Sequence, residues 1–220
     1  MSAFIEFLRE ALAHGYAVLV LDALTPRGVR EVCVPSASNA GLHGVRGAAD
    51  VLQATDHLAR LPFIDGRRIG VLGFSWGAIV GLLASGKSFA DVLAPGQRHA
   101  AFVGLYPICF LPAALTPSKR DVDYVRPDHQ PPGLVLLAGQ DTEAPPQDCV
   151  DRIKAARERG APLEWHLYPD ATHCWDCRTL DGLRKTDFRG VAVTYRYDKA
   201  TTADSMRRAF DLLDNILKPR

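Results

Sequence analysis

The alternation of short apolar runs with helical segments constrains the fold of this 220-residue chain more than any other feature. Each run is of strand length, and the runs cover residues 17–21, 68–74, 100–106, 134–138 and 163–168. Continuously apolar strands that alternate with helices are typical of a parallel sheet covered on both faces. The sequence therefore predicts a three-layer α/β/α sandwich with a mostly parallel sheet, formed by residues 1–220 as a single domain.

The segments between these runs provide the expected connections. Apolar residues at helical spacing predict helices over 4–12, 48–60, 76–85, 147–159 and 203–217. The stretches 25–47 and 110–132 lack a clear period, and the first is expected to be mostly loop. The second is rich in proline and charge, and we interpret it either as a cap over a site or as a plain surface connection.

Composition excludes several classes of function. The formal net charge of +1 implies no basic face, so we expect neither a nucleic-acid nor a membrane partner. No apolar stretch approaches the roughly 20 residues that cross a bilayer. The first residues lack the basic region of a secretory signal. Five cysteines are dispersed through the chain, and we expect them to be reduced thiols in a cytoplasmic protein by default.

A G-x-S-x-G motif, Gly73 to Gly77, lies between the second apolar run and the helix predicted over 76–85. This position between a strand and a helix is that of a nucleophile elbow, a tight turn that presents its serine at the carboxyl edge of the sheet. The turn is expected to need a very small residue at both Gly73 and Gly77. Ser75 is therefore the predicted nucleophile, and the amide of Trp76, at the start of the helix, is the predicted oxyanion donor.

The chain also offers an acid and a base at later strand ends. A serine hydroxyl is a poor nucleophile unless a base takes its proton. Asp141 follows the strand predicted over 134–138, and His173 follows the strand predicted over 163–168. The order serine, aspartate, histidine predicts that His173 is the general base and that Asp141 orients its ring.

Other residues are candidates for the same roles. Glu143 lies in the same loop as Asp141 and competes with it, and His166 competes with His173, although a position inside a strand favours a structural role. Cys174 and Cys177 form a C-x-x-C pair beside the histidine. A single pair is a weak zinc or redox signal, so we interpret it as incidental or locally bridged. No metal is predicted.

Taken together, these motifs resemble the dienelactone hydrolase family of α/β hydrolases. The matching stretches are GYAVLVLD at 15–22, TPRG at 25–28, RIGVLGFSWG at 68–77, YP at 106–107, AGQDTEAP at 138–145 and YPDATH at 168–173. The resemblance implies an α/β-hydrolase fold and the hydrolysis of a small-molecule ester or lactone through an acyl-enzyme, with no cofactor.

Two departures from the family pattern modify these expectations. The founding members carry cysteine where this chain has Ser75, so a dienelactone is not the expected substrate. The family also has a strand and a His-Gly loop before its first helix, and the loop supplies a second oxyanion donor. We therefore expect an N-terminally truncated α/β-hydrolase fold, which is either part of a longer product or a weakened form, since one lost donor costs about 3 kcal/mol. A small peptidase and a non-catalytic binding protein remain the alternatives.

Overall fold

A parallel four-stranded sheet forms the centre of the computed structural model, which describes residues 3–29, 44–96, 98–116, 118–187 and 189–218. The strands are β1 (Gly70–Phe74), β2 (Ala101–Leu105), β3 (Phe110–Leu111), β4 (Val122–Asp123), β5 (Gly133–Ala138), β6 (Leu163–Tyr168), β7 (Arg184–Thr186) and β8 (Ala192–Thr194). The central sheet has the order β1-β2-β5-β6, and all its neighbours are parallel. The pairs β3-β4 and β7-β8 are separate antiparallel ladders.

The helices occupy both faces of this sheet. They are α1 (Ala3–Ala13), α2 (Gly44–Ala59), α3 (Trp76–Ala84), α4 (Lys87–Leu93), α5 (Pro146–Glu158) and α6 (Lys199–Leu217). The last helix begins several residues before its predicted start because the side chain of Asp198 accepts a hydrogen bond from the amide of Thr201 and caps it. No helix among the described residues is long and apolar enough to cross a bilayer.

Alternation along the strands builds two cores. Val103 and Leu105 of β2 lie on the face that α1 and α6 cover, in one cluster with Phe7 and Phe210. Phe102, the residue before Val103, belongs to the cluster on the opposite face. Because successive side chains of a strand point to opposite faces, one short apolar strand supplies both layers. The predicted three-layer α/β/α sandwich is confirmed.

The other face is covered by α2, α3 and α5. Leu82 of α3 and Ile153 of α5 pack with Phe102 in one cluster, while Leu52 of α2 packs with Leu83 of α3 in the next. The first helix of this group, α2, begins at Gly44, within the stretch expected to be loop. The expected loop starts with a short 3-10 turn at Thr25–Arg27, and its residues 30–43 lie outside the described residues.

The strand predicted over 17–21 is not formed, and this expectation was wrong. These residues pair with no described strand, and the side chains of Val18, Leu19, Val20 and Leu21 remain 40–50% exposed. A strand exists only where a neighbour accepts its backbone hydrogen bonds. Here the segment and β1 are instead two walls of one mainly apolar cavity of about 780 Å³.

The general expectation of reduced cysteines was wrong for Cys109 and Cys149, whereas the bond between Cys174 and Cys177 agrees with the alternative of a locally bridged pair. Cys109 and Cys149 form a disulfide, with Cα atoms 5.0 Å apart, and Cys174 is joined to Cys177. Cys109 and Cys149 come from different segments but meet in the same buried cluster, at a separation that suits a disulfide. Cys33 lies outside the described residues. The cysteines therefore no longer support a reducing compartment.

Candidate active site

Ser75 lies at the tight turn between β1 and α3. Its backbone has φ 47° and ψ −113°, a sparsely populated conformation for a residue with a side chain, and its amide donates to the carbonyl of Leu105 at 2.9 Å. A Cβ atom on Gly73 would lie 2.3 Å from the carbonyl oxygen of Gly77, so glycine is required at 73. A Cβ atom on Gly77 would meet nothing within 4 Å. The expectation that both glycines are sterically required was therefore wrong for Gly77.

Trp76 is the first residue of α3. The first amides of a helix have no acceptor within that helix, and the helix dipole favours negative charge at this end. The Trp76 N–H is thus available next to the serine, which is the situation that an oxyanion donor requires.

The structure brings Ser75, His173 and Asp141 together, although they are distant in sequence. The Nε2 atom of His173 lies 3.1 Å from the Ser75 hydroxyl oxygen, and its Nδ1 lies 2.7 Å from Oδ2 of Asp141. His173 and Asp141 are both buried, at 3% and 5% exposure. The three side chains form one continuous chain of hydrogen bonds at the carboxyl edge of the sheet.

The Asp141 carboxylate is fixed by its own loop. Its Oδ1 atom accepts hydrogen bonds from the amides of Glu143 and Ala144, at 2.9 and 2.8 Å, which leaves Oδ2 directed at His173. This arrangement gives each carboxylate oxygen a separate task. The orientation of the imidazole is therefore set by the backbone of residues 141–144.

The loops that carry the acid and the histidine are joined by their backbones. Gly139 donates to the carbonyl of Tyr168 and Gln140 donates to that of Ala171, both at 2.8 Å. A Cβ atom on Gly139 would lie 2.3 Å from the carbonyl oxygen of Pro169. The close approach of the two loops thus depends on glycine at 139.

An aromatic wall lies behind the histidine. The ring of Tyr106 lies 4.7 Å from that of His173 and 4.8 Å from that of Trp175, between centroids. Trp175 is fully buried and donates to the hydroxyl of Ser205 at 3.2 Å, so it is a packing residue. The backbone of Tyr106 has a positive φ of 41°, which turns its side chain into this cluster at the end of β2.

The buried Asp176 lies at the back of this wall. The Tyr106 hydroxyl donates to its Oδ1 at 2.8 Å, whereas its Oδ2 has no hydrogen-bond partner among the described residues. Burial raises the pKa of Asp176 to about 6, because its one strong hydrogen bond only partly replaces water. Burial, followed by the neighbouring charge of Asp176, also raises the pKa of Tyr106 well above its ordinary value.

The other residues that the sequence offered for the acid, base or metal-ligand roles do not take those roles in this site. His166 lies within β6 and packs its ring on Tyr168, at 4.6 Å between centroids. The sulfurs of Cys174 and Cys177 are bonded to each other, so neither is available as a thiolate ligand for a metal. Glu143 does approach the histidine, with its Oε2 atom 4.0 Å from Nε2, but the nitrogen that Asp141 holds is the other one.

Comparison with known proteins identifies the family of the chain. A model of the dienelactone hydrolase family matches residues 3–217. The chain belongs to the dienelactone hydrolase family. This match confirms the resemblance found in the sequence. A comparison with curated proteins found no match.

Solved structures share the α/β-hydrolase fold at low sequence identity. A protein of Klebsiella pneumoniae, provisionally assigned as a dienelactone hydrolase, is 19% identical with a TM-score of 0.60, covering 86% of this chain and 69% of its own. A thermophilic esterase of Thermogutta terrifontis is 17% identical with a TM-score of 0.57, covering 84% and 71%. An α/β hydrolase from a Medee basin deep-sea metagenome is 18% identical with a TM-score of 0.56, covering 80% and 65%. The chain therefore spans slightly under two thirds of the metagenome enzyme.

Proposed function

We propose that this protein is a serine hydrolase that cleaves a small carboxylic ester or lactone through an acyl-enzyme on Ser75. The observation that carries the proposal is the unbroken line of hydrogen bonds from Ser75 through His173 to Asp141, at 3.1 and 2.7 Å. Membership of a family of ester hydrolases supports the substrate class. A serine at the elbow, rather than the cysteine of the founding members, favours ordinary esters and lactones over dienelactones.

In the first half of the reaction, the Ser75 oxygen bonds to the carbonyl carbon of the substrate while its proton passes to Nε2 of His173. Asp141 accepts the Nδ1 hydrogen bond and stabilises the imidazolium that forms. The Trp76 amide donates to the developing oxyanion. His173 then returns the proton to the alkoxide oxygen as the C–O bond breaks, which leaves an acyl group on the serine.

The second half repeats these steps with water. A water molecule attacks the acyl carbonyl and gives its proton to Nε2 of His173, and the same proton then protonates Ser75 as the acid leaves. For a lactone, the alcohol and the acid are two ends of one product. The residues that carry this chemistry need no cofactor.

The test combines turnover with covalent labelling. We expect hydrolysis of p-nitrophenyl acetate and of dihydrocoumarin, and labelling by a fluorophosphonate probe, and we expect Ser75→Ala to abolish all three. Ser88→Ala, which changes an exposed serine of α4, serves as the matched control and should retain them. Correct folding of both variants is checked by circular dichroism.

Each alternative function predicts a different result. A small peptidase would label with the probe but hydrolyse p-nitroanilide substrates faster than the matching esters. A non-catalytic binding protein would neither label nor turn over either substrate, and that outcome would refute the proposal.

A further inference from the structure

Glu143 is a buried carboxylate that the proposed reaction does not use. It is 5% exposed, and its Oε2 atom lies 4.0 Å from Nε2 of His173, the nitrogen that faces Ser75. The two nitrogens of the imidazole thus face different carboxylates. Asp141 bonds to Nδ1, while Glu143 lies near the nitrogen that takes the serine proton.

A second element holds Glu143 in this position. The hydroxyl of Tyr195, which follows β8, donates to Oε2 at 2.7 Å, and the ammonium of Lys185 in β7 donates to Oε1 at 2.9 Å. Arg189, in the turn of the same hairpin, donates to the carbonyl of Glu143 at 2.8 Å. The β7-β8 hairpin therefore holds both the side chain and the backbone of this residue.

The carboxylate is charged at neutral pH. Burial by itself raises the pKa of Glu143, but His173, Tyr195 and Lys185 outweigh burial and bring the pKa below its ordinary value. A negative charge at this distance favours the protonated over the neutral imidazole. The ammonium of Lys185 opposes this effect, because it partly neutralises the same carboxylate.

We propose that Glu143, held by Tyr195 and Lys185, is a positioning residue that stabilises protonated His173 while Ser75 is acylated and deacylated. This inference rests on the proposed function, because it assigns Glu143 a part in the same proton transfer. It goes further because it makes the charge of one carboxylate, held in place by a hairpin tyrosine and lysine, a determinant of the pH at which the site operates.

The other charged groups around the His173 imidazole are the same in the wild type and in variants of Glu143 or Lys185. Among the described residues, the charged and titratable groups around it are Asp141, Glu143, Asp176, Tyr106 and Tyr195. Lys185 lies one step further away, in contact with Glu143. Changing Glu143 or Lys185 alone alters one charge and leaves the rest of this set in place. The two changes should have opposite effects on the histidine.

The experiment is a titration of His173 by NMR in protein labelled with ¹⁵N-histidine, with the resonances assigned from the His173→Gln spectrum. We expect Glu143→Gln to move the midpoint to lower pH by about one unit, and Lys185→Met to move it to higher pH by about half a unit. Glu158→Gln, an exposed glutamate at the end of α5, is the control and should leave the midpoint unchanged.

Hydrolysis of p-nitrophenyl acetate is measured on the same samples. In Glu143→Gln we expect kcat to fall about tenfold with KM little changed, since one pH unit corresponds to a factor of ten, and the acidic limb of kcat/KM should follow the NMR midpoint. Coincident midpoints in Glu143→Gln, Lys185→Met and wild type would overturn the inference, as would shifted midpoints with unchanged kcat. If Glu143→Gln does not fold, Lys185→Met decides alone, because it leaves the carboxylate in place.

Failure of the inference is distinguishable from failure of the proposed function. A wild-type protein that neither labels with fluorophosphonate nor turns over ester refutes the function. A wild-type protein that does both, while the midpoints and kcat stay fixed in the variants, refutes the role of Glu143 alone.

Discussion

The phenol hydroxyl of Tyr106 donates a 2.8 Å hydrogen bond to the fully buried carboxylate of Asp176. The same tyrosine ring packs against His173, at 4.7 Å between centroids. The ionisable carboxylate of Asp176 is thus separated from the candidate general base by the Tyr106 side chain and has no contact with solvent. Its protonation connects the stability of the protein with pH.

We expect Asp176→Asn to stabilise the protein at pH 7.5 and to have little effect near pH 4. The pKa of Asp176 is raised to about 6 from 3.8, so the folded state binds the proton more tightly. The protonated Asp176 side chain contributes favourably to the free energy of unfolding below about pH 4, and this contribution is lost as the pH rises through about 6. The amide retains the oxygen that accepts from Tyr106, and we expect a gain of about 1–2 kcal/mol at pH 7.5.

Urea unfolding of the two proteins at both pH values measures this difference. Asp170→Asn, at an exposed site in the histidine loop, is the control. A gain from Asp176→Asn that is equal at pH 4 and pH 7.5 would contradict the assignment to the buried charge.

Gly73→Ala and Gly77→Ala should differ sharply although they flank the same serine. A Cβ at 73 would lie 2.3 Å from the carbonyl oxygen of Gly77, whereas one at 77 meets nothing within 4 Å. Since backbone cannot give way as a flexible side chain does, we expect Gly73→Ala to cost about 3 kcal/mol or more and to abolish labelling of Ser75. Gly77→Ala should stay folded and labelled. Thermal unfolding and probe labelling report both results, and equal tolerance at the two positions would be inconsistent with this elbow geometry.

Asp141→Asn should inactivate the protein without unfolding it. The amides of Glu143 and Ala144 donate to Oδ1, so the asparagine oxygen takes that place and its NH₂ group faces Nδ1 of His173. The ring is then held with its proton on Nε2 and cannot accept the serine proton. We expect kcat/KM for p-nitrophenyl acetate to fall about 10³-fold or more. Retained activity, with the histidine tautomer unchanged in ¹⁵N spectra, would show that Asp141 is not the orienting acid.

The disulfide between Cys109 and Cys149 should stabilise the fold substantially, because it links residues 40 positions apart. Constraining a loop of that length in the unfolded chain contributes about 4 kcal/mol. We expect this loss of unfolding free energy in the double variant Cys109→Ala/Cys149→Ala under oxidising conditions. Dithiothreitol should destabilise the wild type and leave the unfolding midpoint of the double variant much less changed. An equal response of the two proteins to the reductant would contradict the assignment.

The parts of the fold that sequence reasoning found are those with a strong local signal. The apolar runs that become β1, β2, β5 and β6 are short and are bounded by glycine, proline or helical segments, and each pairs with a neighbour. The run at 17–21 carries the same signal but pairs with no strand in the described part of the chain. A hydropathy pattern describes side chains and not the presence of a partner strand. The β3-β4 and β7-β8 ladders are only two and three residues long, too short to show a period of two.

The residues of the candidate site also fall into those with a local sequence signal and those without one. Ser75, Asp141 and His173 follow strands, so their order along the chain indicated that they would meet. Lys185 and Tyr195 reach Glu143 through tertiary contacts across roughly 40–50 residues, and no local spacing encodes such a contact. The pairing of Cys109 with Cys149 was missed for that reason as well.

The backbone bonds from Gly139 to Tyr168 and from Gln140 to Ala171 have a practical consequence for protein engineering. These hydrogen bonds join the acid loop and the histidine loop into one structural unit. An insertion in one loop would therefore displace the other. Chimaeras built between members of this family should therefore exchange residues 139–145 and 168–173 together. Transplanting either segment by itself would pair loops of unmatched length and would break these backbone hydrogen bonds.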